Sequence, residues 1–206
     1  SVTGIDETYE FAERKLSEYG VDSFLVQDTG RPTTLKQRFR ASSKTLLRVS
    51  HLHQGSISED IQQRIFDEFV ERAPRIDVLV FSDFNYGCLP QPLVDRLIQA
   101  AKHYRIVLAA DSQCSSQIGD VARFTDMDLL TPTEKEARIS LRNNDDGLAA
   151  VANELQKKAR AKLVGFAAII DRSTKKNLRI KKKIISLIKI EVPTYKYLSL
   201  IHISEP

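Results

Sequence analysis

The sequence predicts an α/β protein, a mostly parallel sheet with packed helices, preceded by a small antiparallel flap. Three observations point there. Residues 77–81 (DVLVF), 106–110 (IVLAA) and 128–130 (DLL) are short apolar runs of the kind that fill strands buried on both faces. Segments with helical apolar spacing alternate with them, which is the rhythm of a parallel sheet covered by helices. Residues 33–50 instead show period two, the mark of a strand pair with unlike faces.

Taken in order, 7–19 carries Phe11, Ala12, Leu16 and Tyr19 at helical spacing, and Gly20 supplies the stop. A short strand is expected over 21–26. The Gly30-Arg31-Pro32 turn leads into strands at 33–40 and 45–50, joined by a hairpin connection at 40–44. In the first of these, Lys36, Arg38 and Arg40 share one face. Ser56 and Glu59 have capping-box spacing, so a helix is expected to run to Arg72 with Ile61, Ile65, Phe66 and Phe69 inward. Strand 77–81, helix 90–104 and strand 106–110 follow. Strand 128–130 closes on Thr131-Pro132, and helices are expected over 134–141 and 147–159.

Composition narrows the function classes. No apolar run approaches the roughly 20 residues that cross a bilayer, and nothing at the start resembles a signal peptide. Residues 1–155 hold 18 Lys/Arg against 24 Asp/Glu, whereas 157–196 hold 13 Lys/Arg against only Asp171 and Glu191. The basic character belongs to the tail alone. Cys88 and Cys114 lack metal-ligand spacing, and a reduced, cytoplasmic setting suits them. His51 and His53 flank Leu52 at a strand end, where a solvated face is preferred to a metal pair. No GxxxxGK loop occurs, which argues against a P-loop enzyme.

The order of segments resembles the PfkB (ribokinase-like) carbohydrate kinases. FSDFNYGCL (81–89) resembles their SDYxKGxL segment, VLAADSQ (107–113) the next strand, and LLTPTEKEA (129–137) the TPNxxE segment. Upstream, RPTTLKQRFRASSKTLLRV (31–49) is similar to the RPTTxKTRxxAxxxxLLRV strands of heptose-phosphate kinases of ADP-heptose synthesis. The resemblance covers residues 2–160. It implies a three-layer ribokinase-like sheet, here incomplete, and a parent enzyme that moves the ATP γ-phosphoryl group to a sugar hydroxyl with magnesium.

The resemblance also implies site residues. Asp111, Thr133 and Glu136 fall on the nucleotide and magnesium side, with Glu136 acting on the metal through water. Asp83, Lys36, Arg38 and Arg40 fall on the sugar-phosphate side, as cations suit a dianionic ligand. All three acidic residues follow strands, so they are expected at one sheet edge, where open parallel sheets gather ligand groups. Thr133 stands where the family has Asn, and Tyr86 and Gln113 stand where the heptose kinases have lysines. Each residue also has a plain reading: Asp83 and Asp111 as turn formers, Glu136 as a first-turn acid, and the cations as a solvated face. The parent is expected to be a homodimer paired through the flap, with a sugar phosphate as substrate and neither membrane nor nucleic acid as partner.

No glycine follows Gly165, so the GAGD turn, whose aspartate is the family's catalytic base, has no candidate. The catalytic set is therefore empty, and the chain is expected to be an inactive kinase fragment, with its true N-terminus upstream of Ser1. Residues 1–160 are expected to be a partial kinase domain, with flap strands at 33–50. Residues 161–197 are expected to be an out-of-frame basic segment without coherent fold. Residues 198–206 (LSLIHISEP) resemble a translated sequencing adapter. The rival readings are a non-catalytic nucleotide- or sugar-phosphate-binding module and a basic-tailed interaction protein.

Overall fold

The computed structural model describes residues 1–113, 119–171 and 183–189. The chain divides into two compact units, Ser1–Ala161 and Lys162–Pro206.

In the first unit, β1 (Val2–Thr3) pairs parallel with β2 (Val26–Gln27), with α1 (Glu7–Glu18) between them. Asp6 starts α1 by accepting from Tyr9 N, and Gly20, at φ +69°, sits just past its end, where a side chain would be strained. The strand expected over 21–26 shrinks to β2 because β1, its only partner among the described residues, is two residues long. No residue of α1 is buried, so its apolar stripe packs less than its spacing implies.

The flap is an antiparallel hairpin, β3 (Leu35–Ala41) with β4 (Lys44–His51). Ser42 takes a left-handed conformation at the turn, and the register shifts between Phe39 and Arg40. Next, α2 (Glu59–Arg72) is capped by Ser58, whose side chain accepts from Ile61 N. The expected cap, Ser56, lies two residues too early. Ile57 between them is buried under the helix start, so the chain turns helical only after it.

The main sheet is β5 (Val78–Asp83), β6 (Val107–Ser112) and β7 (Leu129–Leu130), all parallel and in that order. The crossover from β5 to β6 is α3 (Gln91–His103). A 3-10 turn at Val121–Arg123 precedes β7, and α4 (Glu134–Leu141) and α5 (Leu148–Lys158) follow it. Asp128 Oδ2 accepts from Leu108 N at 2.8 Å, so a side chain takes the ladder position and β7 begins one residue later than expected.

The core lies on one face of this sheet. Phe81, Leu108 and Ala110 point into it and meet Ile61 and Phe69 of α2 and Leu93, Val94, Leu97, Ile98 and Ala101 of α3. Full burial of a side chain such as Leu93 stabilises by roughly 1.5–3 kcal/mol. A satellite cluster of Val121, Ala122, Ala137, Val151 and Leu155 joins α4 to α5.

The expectation that these strands are buried on both faces is corrected. Val78, Val80, Val107 and Leu129 are 49%, 60%, 46% and 54% exposed. They alternate with the core residues, and the helices that bury the sheet cover only the core side. The α/β class, the mostly parallel sheet and the small antiparallel sheet stand as expected.

The second unit contains β8 (Gly165–Asp171) paired parallel with β9 (Lys183–Lys189). Residues 183–189 were expected to lack regular structure. They form a strand because Ile184, Ile185 and Ile188 suit a pleated backbone. The remainder of the basic segment from 172 onward and the adapter-like end at 198–206 lie outside the described residues. So does Cys114.

Candidate functional site

Parallel strands deliver their carboxyl ends to one edge, so Asp83, Asp111 and the start of α4 with Glu136 share the same rim. Register then separates the first two. Asp111 pairs with Ser82, whereas Asp83 pairs with Ser112. Because alternate residues point to opposite faces, Asp83 lies on the core face and Asp111 on the open face.

Asp83 is 5% exposed and fully engaged. Its Oδ2 accepts from Arg123 Nη2 at 2.8 Å and from Ser112 Oγ at 3.4 Å, and its Oδ1 accepts from Asn85 N at 2.9 Å. The last bond closes the turn in which Asn85 adopts φ +59°. The turn-forming reading describes Asp83. Asp111, partly exposed, has no side-chain partner among the described residues.

Thr133 and Glu136 form a capping box. Glu136 N donates to Thr133 Oγ1 at 3.3 Å, and Thr133 N and Oγ1 each donate to Glu136 Oε2 at 2.8 Å. Thr133 thus serves the capping role of an asparagine through its hydroxyl. Glu136 spends one oxygen on the cap and keeps Oε1.

The flap cations divide by environment. Lys36 Nζ lies 5.0 Å from the ring centre of Tyr86 and 5.3 Å from that of Phe84, whose rings stack 6.1 Å apart. The buried Tyr86 hydroxyl has no hydrogen-bond partner among the described residues. Arg40 Nη2 donates to Ser43 O at 3.2 Å, folding back onto the hairpin turn. Arg38 is exposed and unpaired among the described residues.

A junction that the sequence reading passed over fixes the base of the flap. The buried Arg31 donates from Nη2 to Gly55 O (2.7 Å), from Nη1 to Tyr86 O (3.3 Å) and from Nε to Asp28 Oδ2 (3.1 Å). Cys88 sits beside it, with Nη1 3.6 Å from Sγ. Burial pushes the Cys88 thiol up, and the Arg31 charge pulls it partly back. Ile5, Asp6, Thr29, Gly30, Arg31 and Pro32 line an open cleft of about 420 Å³ beside this junction. The Gly30-Arg31-Pro32 turn was legible as a turn, but an arginine aimed inward has no local signature.

Asp6 ties the N-terminal segment to this cleft. Thr33 N donates to Asp6 Oδ2 at 2.8 Å, and Gly4 N donates to Thr33 Oγ1 at 2.9 Å. The bond from Thr33 N is the main reason the Asp6 carboxyl is held below its ordinary value, with the Thr33 hydroxyl and the first amides of α1 adding to it. A lowered carboxyl stabilises the fold above its unfolded value, and that contribution is lost as pH falls through the folded value. The window therefore lies below about pH 3.9, the ordinary aspartate value. Urea unfolding of the parent and Asp6→Asn from pH 5 to 2.5 is expected to show a stability gap that closes with acid. A gap independent of pH would refute the assignment.

No family model matches the chain. Curated proteins do. The bifunctional protein HldE of Helicobacter hepaticus (strain ATCC 51449 / 3B1) is 33% identical over 141 residues, covering 68% of this chain and 28% of that protein. Its counterpart from Helicobacter pylori (strain Shi470) is 29% identical over 157 residues, covering 75% and 33%. The chain thus spans a third or less of these relatives. Among solved structures, ribokinase from Giardia lamblia superposes with a TM-score of 0.57 at 14% identity, covering 78% of this chain and 49% of that one. Phosphofructokinase-2 from Escherichia coli, in complex with fructose-6-phosphate, gives 0.52 at 18% identity, covering 78% and 53%.

Proposed function

The chain belongs to the PfkB/ribokinase-like carbohydrate kinase family, and from that premise we propose that it is part of an ATP-dependent kinase for a phosphorylated, heptose-type sugar. The observation that carries the reading is the sheet rim. Asp111 and the free oxygen of Glu136 lie at the carboxyl edge of a parallel sheet, and a cationic flap belongs to the same unit. Negative groups on one side suit a metal–nucleotide complex, and cations on the other suit a sugar phosphate.

Glu136 fits an indirect role toward magnesium, because Oε1 is left to accept from a metal-bound water while Oε2 holds the helix start. No cluster of three metal-ligating side chains forms among the described residues, so magnesium would rest mainly on the nucleotide and water. When bound, the metal neutralises phosphate oxygens. Asp111, facing the open side of the sheet, would orient the same complex. The capping box fixes the Glu136 rotamer, so its free oxygen needs little reordering on binding.

The chain alone is expected to have no turnover, because no glycine after Gly165 can build the anion-gripping turn and its base. The parent enzyme would work in the cytoplasm, and among the described residues no helix is long and apolar enough to cross a membrane. It would pair as a homodimer through the apolar face of the flap. Leu35, Phe39, Leu47 and Val49 share that face, and Phe39 and Leu47 are about half exposed.

Replacing the matching stretch of the Helicobacter hepaticus relative with residues 1–160 tests the reading. The folded chimera is expected to phosphorylate heptose 7-phosphate from ATP, and Glu136→Ala in it to lower turnover at least tenfold. A folded chimera that binds both substrates without transfer would overturn the kinase assignment. ADP release coupled to sugar by the isolated chain would overturn its inactivity.

A further inference from the structure

The flap has few ties to the rest of its unit. No residue of the hairpin at 35–51 belongs to either apolar cluster, and all of it is exposed except Leu35, Lys36, and Val49, which are half-buried. Among the described residues no hydrogen bond leaves the hairpin, and Arg40 bonds only to its own turn. The contact that does leave it is made by Lys36. Its ammonium lies 5.0 Å from the ring centre of Tyr86 and 5.3 Å from that of Phe84.

The two rings are on the fixed side of this contact. The loop after β5 is pinned at three successive residues: Asn85 N donates to Asp83 Oδ1, Tyr86 O accepts from Arg31, and Gly87 O accepts from Ile57 N. Tyr86 is buried, and its ring lies 16° from parallel with that of Phe84, so the ring faces are oriented before a cation meets them. A ring face attracts an ammonium through its quadrupole, more strongly where water is displaced. A two-stranded hairpin by itself is marginal in water, so a single outside contact weighs heavily on it. Tyr86 also stands where the heptose kinases have lysine, and a lysine there would repel Lys36 instead of holding it.

We infer that Lys36 is a latch: its ammonium, seated on the Phe84–Tyr86 pair, holds the flap against the loop after β5, and its release frees the hairpin. The mobile half of the latch is the strand that carries Lys36, and the fixed half is the pinned loop. The device needs no assumption about the reaction or the substrate. Loss of one such contact shifts the balance between held and free flap by about two- to thirtyfold.

Hydrogen exchange of the full chain, at one protein concentration throughout, reads that balance in the amides of 37–49. Lys36→Met keeps a long apolar stem and removes the charge. It should speed exchange across the hairpin by about two- to thirtyfold and leave β5, β6 and α3 unchanged. Lys36→Arg keeps a cation over the rings and should exchange as the parent chain does. Tyr86→Phe keeps the ring face and should also match the parent, whereas Tyr86→Leu should loosen the hairpin as Lys36→Met does. Tyr86→Lys, which sets two ammonium groups against each other, should loosen it most.

Parent-like exchange in Lys36→Met would mean that packing of the stem, not the charge, holds the flap, and would overturn the latch. Tyr86→Phe as loose as Tyr86→Leu would assign the effect to the hydroxyl and overturn it equally. If a change at Tyr86 also speeds exchange in β5 and α3, the core has been disturbed. The pair Lys36→Met and Lys36→Arg then decides alone, because Lys36 lies outside both apolar clusters.

Discussion

Gly87→Ala is expected to lower stability by about 4 kcal/mol or more, enough to unfold a large share of a domain of ordinary marginal stability. Two separate effects act at that position. Gly87 has φ +75°, where a β-carbon costs about 1–2 kcal/mol. A β-carbon there would also lie 2.0 Å from Gly55 O and 2.6 Å from Gly55 C, both backbone atoms that cannot swing aside. The 55–57 strip would have to move away from the loop after β5. That motion breaks the bond from Ile57 N to Gly87 O at 3.1 Å, and with it the bridge that Arg31 makes between Gly55 O and Tyr86 O. Bonds to a charged group contribute about 1.5–3 kcal/mol each.

Gly20→Ala is the matched control. It has φ +69° but meets nothing within 4 Å, so only the conformational cost of about 1–2 kcal/mol should remain. Urea midpoints for the two variants measure the difference. Equal midpoints would mean that the close approach at Gly55 is not a feature of the folded chain.

The same junction shows where sequence reading stops. The parallel strands, the hairpin and the helices were legible because periodicity is local: DVLVF and IVLAA announce strands whatever packs on them. Which faces are covered is not local. Val78 and Val80 look identical to core valines, and only the one-sided packing of α2 and α3 exposes them. The cations of β3 were visible as a stripe, but Arg48 belongs to the stripe only through register, which a bulge at Phe39/Arg40 helps to set. Gly87 and Arg31 read as ordinary turn residues because their partners lie 32 and 24 residues away at Gly55.

For Asp83, the structure separates two readings that the sequence left level. Asp83→Ala is expected to cost about 3–5 kcal/mol, because it leaves Arg123 partly buried without its counter-charge. Arg123 Nε has no partner among the described residues and Nη1 reaches only the neutral Gln91 Oε1, so the Asp83 bond is the main compensation for burying the guanidinium. The double variant Asp83→Leu with Arg123→Met removes both charges while keeping much of the volume. It should recover most of the loss, as replaced buried pairs commonly do. Two penalties remain: Asn85 N loses its acceptor in the turn, about 1 kcal/mol, and the buried Ser112 hydroxyl loses its own.

If Asp83 instead bound the sugar, the double variant would be stable and the chimera carrying it would lose substrate affinity with its fold intact. The geometry predicts the reverse order of effects. Thermal unfolding should shift strongly for the single variant and weakly for the double, while sugar-phosphate affinity is indifferent to position 83. A chimera in which Asp83→Leu with Arg123→Met folds normally yet binds the sugar tenfold more weakly would move Asp83 from the framework into the site.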